Sequence, residues 1–174
     1  MIKKTDFKKY IRNIPDFPKP GILFRDITTL LNDKKAFKQA VNALADKYKN
    51  KKIDAIVAVE ARGFILGGAL AHKLNAAFVP VRKKGKLPWK TNSVTYELEY
   101  GTDTLEMHSD SLKLNDKVLI VDDLLATGGT VQAAINLIKQ LGAKITGIAF
   151  LIELTDLKGK EKLADYPIYS LIKY

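Results

Sequence analysis

The densest chemistry in this sequence lies in residues 118–130. A short apolar run, Val118-Leu119-Ile120-Val121, ends in two adjacent acids, Asp122 and Asp123. After Leu124-Leu125-Ala126 comes Thr127-Gly128-Gly129-Thr130, which opens a segment of helical period. Glycines let backbone N–H groups curl around an anion, and the positive end of a helix dipole favours a phosphate there. Both threonine hydroxyls can donate to the same anion. Paired acids beside such a cradle suit a sugar phosphate, with the phosphate on the amides and the ribose hydroxyls on Asp122 and Asp123. The run is not a Walker A loop, because the Gly-Lys-Ser/Thr ending is missing, and not a dinucleotide fingerprint, because G-x-G-x-x-G is missing. A capped helix after an ordinary βα loop would explain Thr130 and the glycines but not two acids closing a buried strand.

Arginine occurs only at Arg12, Arg25, Arg62 and Arg82, against a background otherwise built from lysine. The planar guanidinium suits bidentate binding of phosphate or carboxylate, although any one of the four could be a chance survivor of lysine-rich codon usage. His72, on a helical segment, and His108, on a strand, have no suitable partner nearby in sequence and are read as structural or exposed.

The elements that must position these residues follow an alternating pattern. Short β-branched runs at 53–59, 77–81, 118–121 and 145–152 alternate with helical segments, the signature of βαβ units around a parallel sheet. Asn32 or Asp33 can cap a helix whose apolar face is Phe37, Ala40, Val41, Leu44, Ala45 and Tyr48. A second helix is predicted from Gly63 to Leu74. A third starts near Thr130, buries Val131, Ala134, Ile135, Ile138 and Leu141, and stops at Gly142. Val94, Tyr96, Leu98 and Tyr100 alternate with Thr95, Glu97 and Glu99. A Gly101-Thr102-Asp103 turn follows, then Leu105 and Met107 alternate with Glu106 and His108, so an antiparallel hairpin is expected beside the parallel core. Residues 82–90 form a long basic loop of the kind that serves as a lid. The first thirty or so residues, with Pro15, Pro18, Pro20 and Gly21, read as an irregular cap over one end of the sheet. The expected architecture is an α/β fold: a central twisted parallel sheet flanked by helices, with an antiparallel lid hairpin and a small N-terminal cap.

At 174 residues and 47% hydrophobic, the chain is sized for one core, and a single domain over 1–174 is expected. No run approaches the roughly eighteen uninterrupted apolar residues of a membrane helix. The polar start and the absence of cysteine fit a cytoplasmic protein. The net charge of +10 could suit nucleic acid, but short pairs such as Lys34-Lys35 and Lys51-Lys52 read as solvated faces, and a small polyanionic substrate accounts for a basic surface as well.

The run from 118 to 130 resembles the motif that binds 5-phosphoribosyl-1-pyrophosphate (PRPP) in the type I phosphoribosyltransferases, and the fuller match is to the adenine phosphoribosyltransferases. It spans nearly the whole chain: residues 17–27 from Phe17-Pro18 to Asp26-Ile27, Glu60-Ala61-Arg62-Gly63-Phe64, residues 82–88 from Arg82 to Pro88, Leu98-Glu99-Tyr100-Gly101 and Glu153-Leu154-Thr155. At the lid tip Trp89-Lys90 departs from the Arg-Glu pair often found there. The resemblance implies the type I fold and transfer of the 5-phosphoribosyl group from PRPP to adenine, a step of purine salvage that yields AMP and pyrophosphate. It also implies a homodimer, without nucleic-acid or membrane partners, using Mg²⁺ held mainly by PRPP and water, with no dedicated metal ligands.

By the same resemblance, Ala126, Thr127, Gly128, Gly129 and Thr130 hold the 5-phosphate, and Asp122 and Asp123 the ribose hydroxyls. Glu60, Ala61 and Arg62 meet the pyrophosphate, often through a non-proline cis peptide, here between Glu60 and Ala61. Arg82, Lys83 and Lys86 join them, and the lid from 82 to 100 closes over PRPP. Adenine lies between Phe24 and Leu124 and is read by backbone groups around Leu23 and Arg25. Arg62 and Glu99 are the catalytic pair, with Glu99 handling the adenine proton. Two other readings remain open: another purine specificity, and a non-catalytic PRPP sensor that binds nucleic acid. The complete lid, pyrophosphate loop and candidate base argue against the sensor.

Overall fold

The structure, a computed structural model, describes residues 5–97 and 101–174. Tertiary contacts group the chain into two compact units, Met1–Ala43 and Leu44–Tyr174.

In the first unit, a 3-10 turn at Phe7–Tyr10 leads into β1 (Arg12–Ile14), which pairs antiparallel with β2 (Phe24–Asp26). This segment was expected to be irregular, and its ladder is too short for periodicity to reveal. Asp26 ties it together: it accepts from the Thr28 N–H at 2.9 Å, the Thr28 hydroxyl at 2.8 Å and Arg12 Nε at 3.0 Å. These bonds, those of Thr28 first, hold the Asp26 carboxyl below its ordinary value. Helix α1 (Thr28–Asn32) follows, then α2 (Lys34–Asp46), within which the boundary between the units falls. Asp33 caps α2, its Oδ1 accepting from the N–H groups of Lys35 and Ala36 at 2.9 Å each.

The second unit is built on a seven-stranded sheet. Its strands are β3 (Ala55–Val59), β4 (Ala77–Lys83), β5 (Thr91–Glu97), β6 (Thr102–His108), β7 (Lys117–Leu125), β8 (Lys144–Glu153) and β9 (Ile168–Lys173). The spatial order is β5-β6-β4-β3-β7-β8-β9. Strands β4, β3, β7, β8 and β9 run parallel, and the β5–β6 hairpin adds antiparallel to β4 through Arg82↔Glu106 and Lys83↔Leu105. Every residue of β3 is buried, as a parallel strand covered on both faces requires.

Helix α3 (Arg62–Leu74) joins β3 to β4, and α4 (Gly129–Gln140) joins β7 to β8. The two helices take opposite faces. Gly67 of α3 lies over Ile56, Ala58 and Phe78, whereas Val131, Ala134, Ile135 and Ile138 of α4 share a core with Val57, Val59, Val118 and Ile120. Ala133 and Leu137 are buried too, because β5 of the hairpin packs against α4.

Three details differ from the sequence reading. Glu97 already pairs with Thr102, so Thr102 and Asp103 belong to β6 rather than to the turn. Strand β7 continues to Leu125, because β8 is long enough to pair with it as far as Leu125↔Glu153. Strand β9 went unassigned although its alternating burial suits an edge strand.

The approach of α3 to the sheet is testable at two neighbouring glycines. A Cβ at Gly67 would stand 2.6 Å from the Ala58 Cβ and 3.1 Å from Phe78 Cε2, while one at Gly68 meets nothing within 4 Å. Gly67→Ala is expected to cost about 1–3 kcal/mol in denaturant unfolding, and Gly68→Ala to gain up to about 1 kcal/mol through helix propensity. Equal effects at both positions would mean that α3 does not pack this tightly.

Candidate active site

Strand β3 connects through α3 to one neighbour and β7 connects through α4 to the other side, so the chain reverses direction of travel between β3 and β7. Open α/β sheets bind ligands in the crevice beyond the carboxyl ends of the strands at such a switch point. The two strands are paired from Ala55↔Val118 to Ala58↔Val121. Beyond Val121, β7 keeps only its β8 partner, and Asp122 and Asp123 begin there. The β3 chain leaves through a cis Glu60–Ala61 peptide, at the bond the resemblance implied, and enters α3 at Arg62.

Arg62 returns across this gap, its Nε 2.9 Å from Asp123 Oδ2. Asp123 Oδ2 is otherwise a buried oxygen without a hydrogen-bond donor among the described residues. Asp122 Oδ1 accepts from the Asp123 N–H at 2.8 Å. After Leu125 the chain turns through residues 126–128 into α4, with Gly128 in the left-handed region (φ +83°) as the N-cap and no side chain capping the helix. Asp122 and residues 124–131, which include the first turn of α4, line a concavity of about 70 Å³. The structure thus brings together Arg62, Asp122, Asp123, Leu124 and the 126–130 loop.

A second cluster gathers around Glu60. Its carboxylate accepts from Arg82 Nη2 at 3.0 Å and Nε at 3.3 Å, and from the Lys83 N–H. Arg82 Nη1 donates to the Lys86 carbonyl at 3.1 Å, so one guanidinium braces both the Glu60 loop and the start of the basic loop. Lys83 Nζ pairs with Asp103 Oδ2 at 2.9 Å, which raises the lysine pKa and lowers that of the acid. Asp103 and Glu106 were missed by the sequence reading. Glu106, expected on the polar face of its strand, is buried and accepts from the Gly85 N–H at 3.0 Å. Only the pairing of β6 with β4 puts it there.

Leu23, Phe24 and Arg25 lie in the first unit and Leu124 in the second. Leu23 is exposed, the Phe24 ring packs edge-on against Phe17 at 5.1 Å, and Arg25 donates to Asn13. Glu99 lies outside the described residues.

The profile of the family described as Phosphoribosyl transferase domain matches residues 28–173. The adenine phosphoribosyltransferase of Brachyspira hyodysenteriae is 57% identical over 169 residues, covering 97% of this chain and 99% of that one. The crystal structure of adenine phosphoribosyltransferase from Thermoanaerobacter pseudethanolicus superposes with a TM-score of 0.94 at 54% identity, covering 97% of this chain and 98% of that one. The chain belongs to the adenine phosphoribosyltransferase family. Another similar structure, from Giardia lamblia in complex with 9-deazaadenine, has a TM-score of 0.92 at 39% identity, covering 97% of this chain and 96% of that one.

For a phosphoribosyltransferase the electrostatics of the acid pair matter most. Burial pushes the Asp122 carboxyl well above its ordinary 3.8, and the neighbouring charge of Asp123 pushes it further. Burial raises Asp123 as well, but the Arg62 guanidinium opposes the shift, so Asp122 is the member that holds a proton to higher pH. Between the ordinary carboxyl value and the raised one, the folded protein binds more protons than the unfolded chain. Stability contributed by Asp122 is therefore present at low pH and lost as pH rises through that window. Asp122→Asn, which keeps the acceptor for the Asp123 N–H, should melt higher than the parent near about pH 7, each kcal/mol appearing as about 2–4 °C. The advantage should fade as pH falls towards the ordinary carboxyl value of 3.8, as Asp122 takes up its proton in the folded protein. Melting curves at the two pH values check this; an offset independent of pH would assign the effect to packing.

Proposed function

We infer that this chain transfers the 5-phosphoribosyl group of PRPP to adenine, releasing pyrophosphate and forming AMP for purine salvage. The observation that carries the reading is the acid pair at the switch point, where a buried Asp123 oxygen meets the Arg62 guanidinium as an ion pair, a few residues before a helix N-terminus without a side-chain cap. A ribose 5-phosphate supplies hydroxyl donors for the carboxylates and an anion for the amides. The 9-deazaadenine complex of the Giardia relative supports a purine as the second substrate. The family match crosses the boundary between the two compact units, which supports one functional domain.

Breaking the bond between C1 and pyrophosphate builds positive charge on the ribose ring, as in glycoside chemistry. Asp122 and Asp123 would grip the ribose hydroxyls and favour that charge. Arg62, Arg82, Lys83 and Lys86 would offset the negative charge gathering on pyrophosphate. Glu60 would act by holding Arg82 and the Lys83 main chain in place. Mg²⁺ would neutralise pyrophosphate oxygens, bound through PRPP and water; the Asp122–Asp123 pair suits the ribose hydroxyls beside it. A homodimer, the default closed oligomer, and a cytoplasmic setting complete the proposal. Among the described residues no helix is long and apolar enough to cross a membrane.

The direct test is purified protein with PRPP and Mg²⁺, offered adenine, hypoxanthine and guanine in turn. Rapid nucleotide formation is expected with adenine alone, and comparable rates with the other bases would sink the specificity.

Glu99 is proposed as the acceptor of the proton that adenine loses as N9 attacks C1. Its support is the family resemblance and the position of Glu97, whose carbonyl lies 3.5 Å from where a Cβ on Gly129 would stand, so β5 ends beside the phosphate loop. Glu99→Gln should lower kcat by about 10²–10⁴-fold with little change in PRPP affinity. Glu97→Gln, at an exposed strand position, should be nearly silent. Small, equal effects would send the proton by another route.

A further inference from the structure

Strand β8 ends at Glu153, and the chain returns to β9 without an α-helix. Residues 154–167 contain two 3-10 turns, Thr155–Leu157 and Glu161–Leu163. The segment is fastened at both ends. The Leu154 N–H donates to the Leu125 carbonyl at 2.9 Å, the Thr155 N–H donates to the Tyr174 carbonyl at 2.9 Å, and Leu163 is buried in the core beneath α4. Between these anchors Gly159 is the only buried residue in the run 155–160. A glycine gains little from burial for its own sake, so its neighbours give the reason. A Cβ built on Gly159 would run into the Ala126 carbonyl oxygen and stand 3.0 Å from the Gly128 nitrogen. One built on Gly128 would stand 2.8 Å from the Gly159 carbonyl oxygen. The two glycines meet backbone to backbone, and neither position has room for a side chain.

We propose that residues 154–163 form a strap that sets the position of the phosphate loop, with Gly159 as its contact point. The proposal rests on the reading of 126–130 as the holder of the 5-phosphate. Gly159 is a positioning residue: its main chain fixes Ala126 and Gly128, and through them the direction of the amides that open α4. A phosphate held by backbone N–H groups needs those groups placed to within about 0.5 Å. Residues 126–128 belong to no helix or strand, so this contact supplies rigidity that secondary structure does not. The neighbours Leu157, Lys158 and Lys160 are exposed.

The test compares Gly159→Ala with Thr127→Ala, which alters the loop itself, and with Leu157→Ala, an exposed control on the strap. Gly159→Ala is expected to raise the KM for PRPP and the Kd for ribose 5-phosphate together, on the order of ten- to hundred-fold. The KM for adenine should hold within about two-fold, since displacement of the phosphate loop is a PRPP-specific loss. Leu157→Ala should match the parent in all three. If Thr127→Ala leaves ribose 5-phosphate binding untouched, the phosphate reading of the loop has failed. If Thr127→Ala weakens binding and folded Gly159→Ala does not, or lowers only the melting temperature, the strap proposal is overturned. Should Gly159→Ala not fold, hydrogen exchange on the unaltered protein decides. Ribose 5-phosphate should slow exchange at 126–130 and at 158–160 together, and protection of 126–130 alone overturns the proposal.

Discussion

Two adjacent carboxylates buried where β3 parts from β7 impose the demand that most of the second unit answers. Moving one carboxylate out of water without a partner is strongly unfavourable, and two side by side add mutual repulsion. The compensation visible here comes from the main chain at Asp123 and Leu124, from a hydrogen bond between the two carboxyls, and from one guanidinium beside Asp123, and burial still raises both acids. That guanidinium belongs to the first residue of α3, so the course of the chain from β3 through Glu60 and Ala61 is tied to the acid pair. An arrangement left partly unsatisfied is what a site for a polyhydroxylated cation-forming substrate requires, because the missing donors arrive with the ligand. The surrounding core, with Ile120, Val121, Ile135 and Phe150 fully enclosed, supplies the hydrophobic stabilisation that lets such a site persist.

The cationic side of the crevice is organised by acids. Arg82 is held by Glu60, Lys83 by Asp103, and the turn at Gly85 by Glu106. Unpaired, these cations would repel one another and sample many rotamers. Glu60 and Asp103 narrow that sampling, and Glu106 pins the main chain between them. The overall charge of +10 is thus better understood through a few oriented groups than as a uniformly basic surface.

Most of what depended on local periodicity was legible in the sequence, with β9 the exception. The apolar runs gave β3, β4, β7 and β8 to within a few residues, Gly142 marked the end of α4, and the resemblance located the cis bond at Glu60–Ala61. The run from Asp122 to Thr130 stood out because two acids and a glycine loop are unusual at a strand end, whereas Arg62, on another element, was named only through the resemblance. What escaped was set by partners distant in sequence. Glu106 looks like any polar strand residue until β6 is placed beside β4. Leu125 joins β7 only because β8 is long, and the register of the hairpin is fixed by Glu97↔Thr102 rather than by the glycine that follows. Gly159 carries no local signal at all, since a glycine flanked by lysines reads as an ordinary turn.

The helix-free crossover from β8 to β9 fits this logic of distant partners. A helix presents side chains to whatever it packs against, and helix axes stay about 8–10 Å from one another for that reason. A phosphate loop made largely of main chain cannot be reached at that separation without filling the gap with side chains that would compete with the substrate for the loop. A short irregular segment with a glycine at its point of contact brings backbone against backbone and leaves the amides of the loop unobstructed. Fastening that segment to Leu125 at one end and to the core through Leu163 at the other gives the loop a fixed reference in the same sheet that carries Asp122 and Asp123. On the proposed reading, the ribose and phosphate contacts would thereby be registered to one rigid element, as a reaction in which C1 must meet its nucleophile at bonding distance demands.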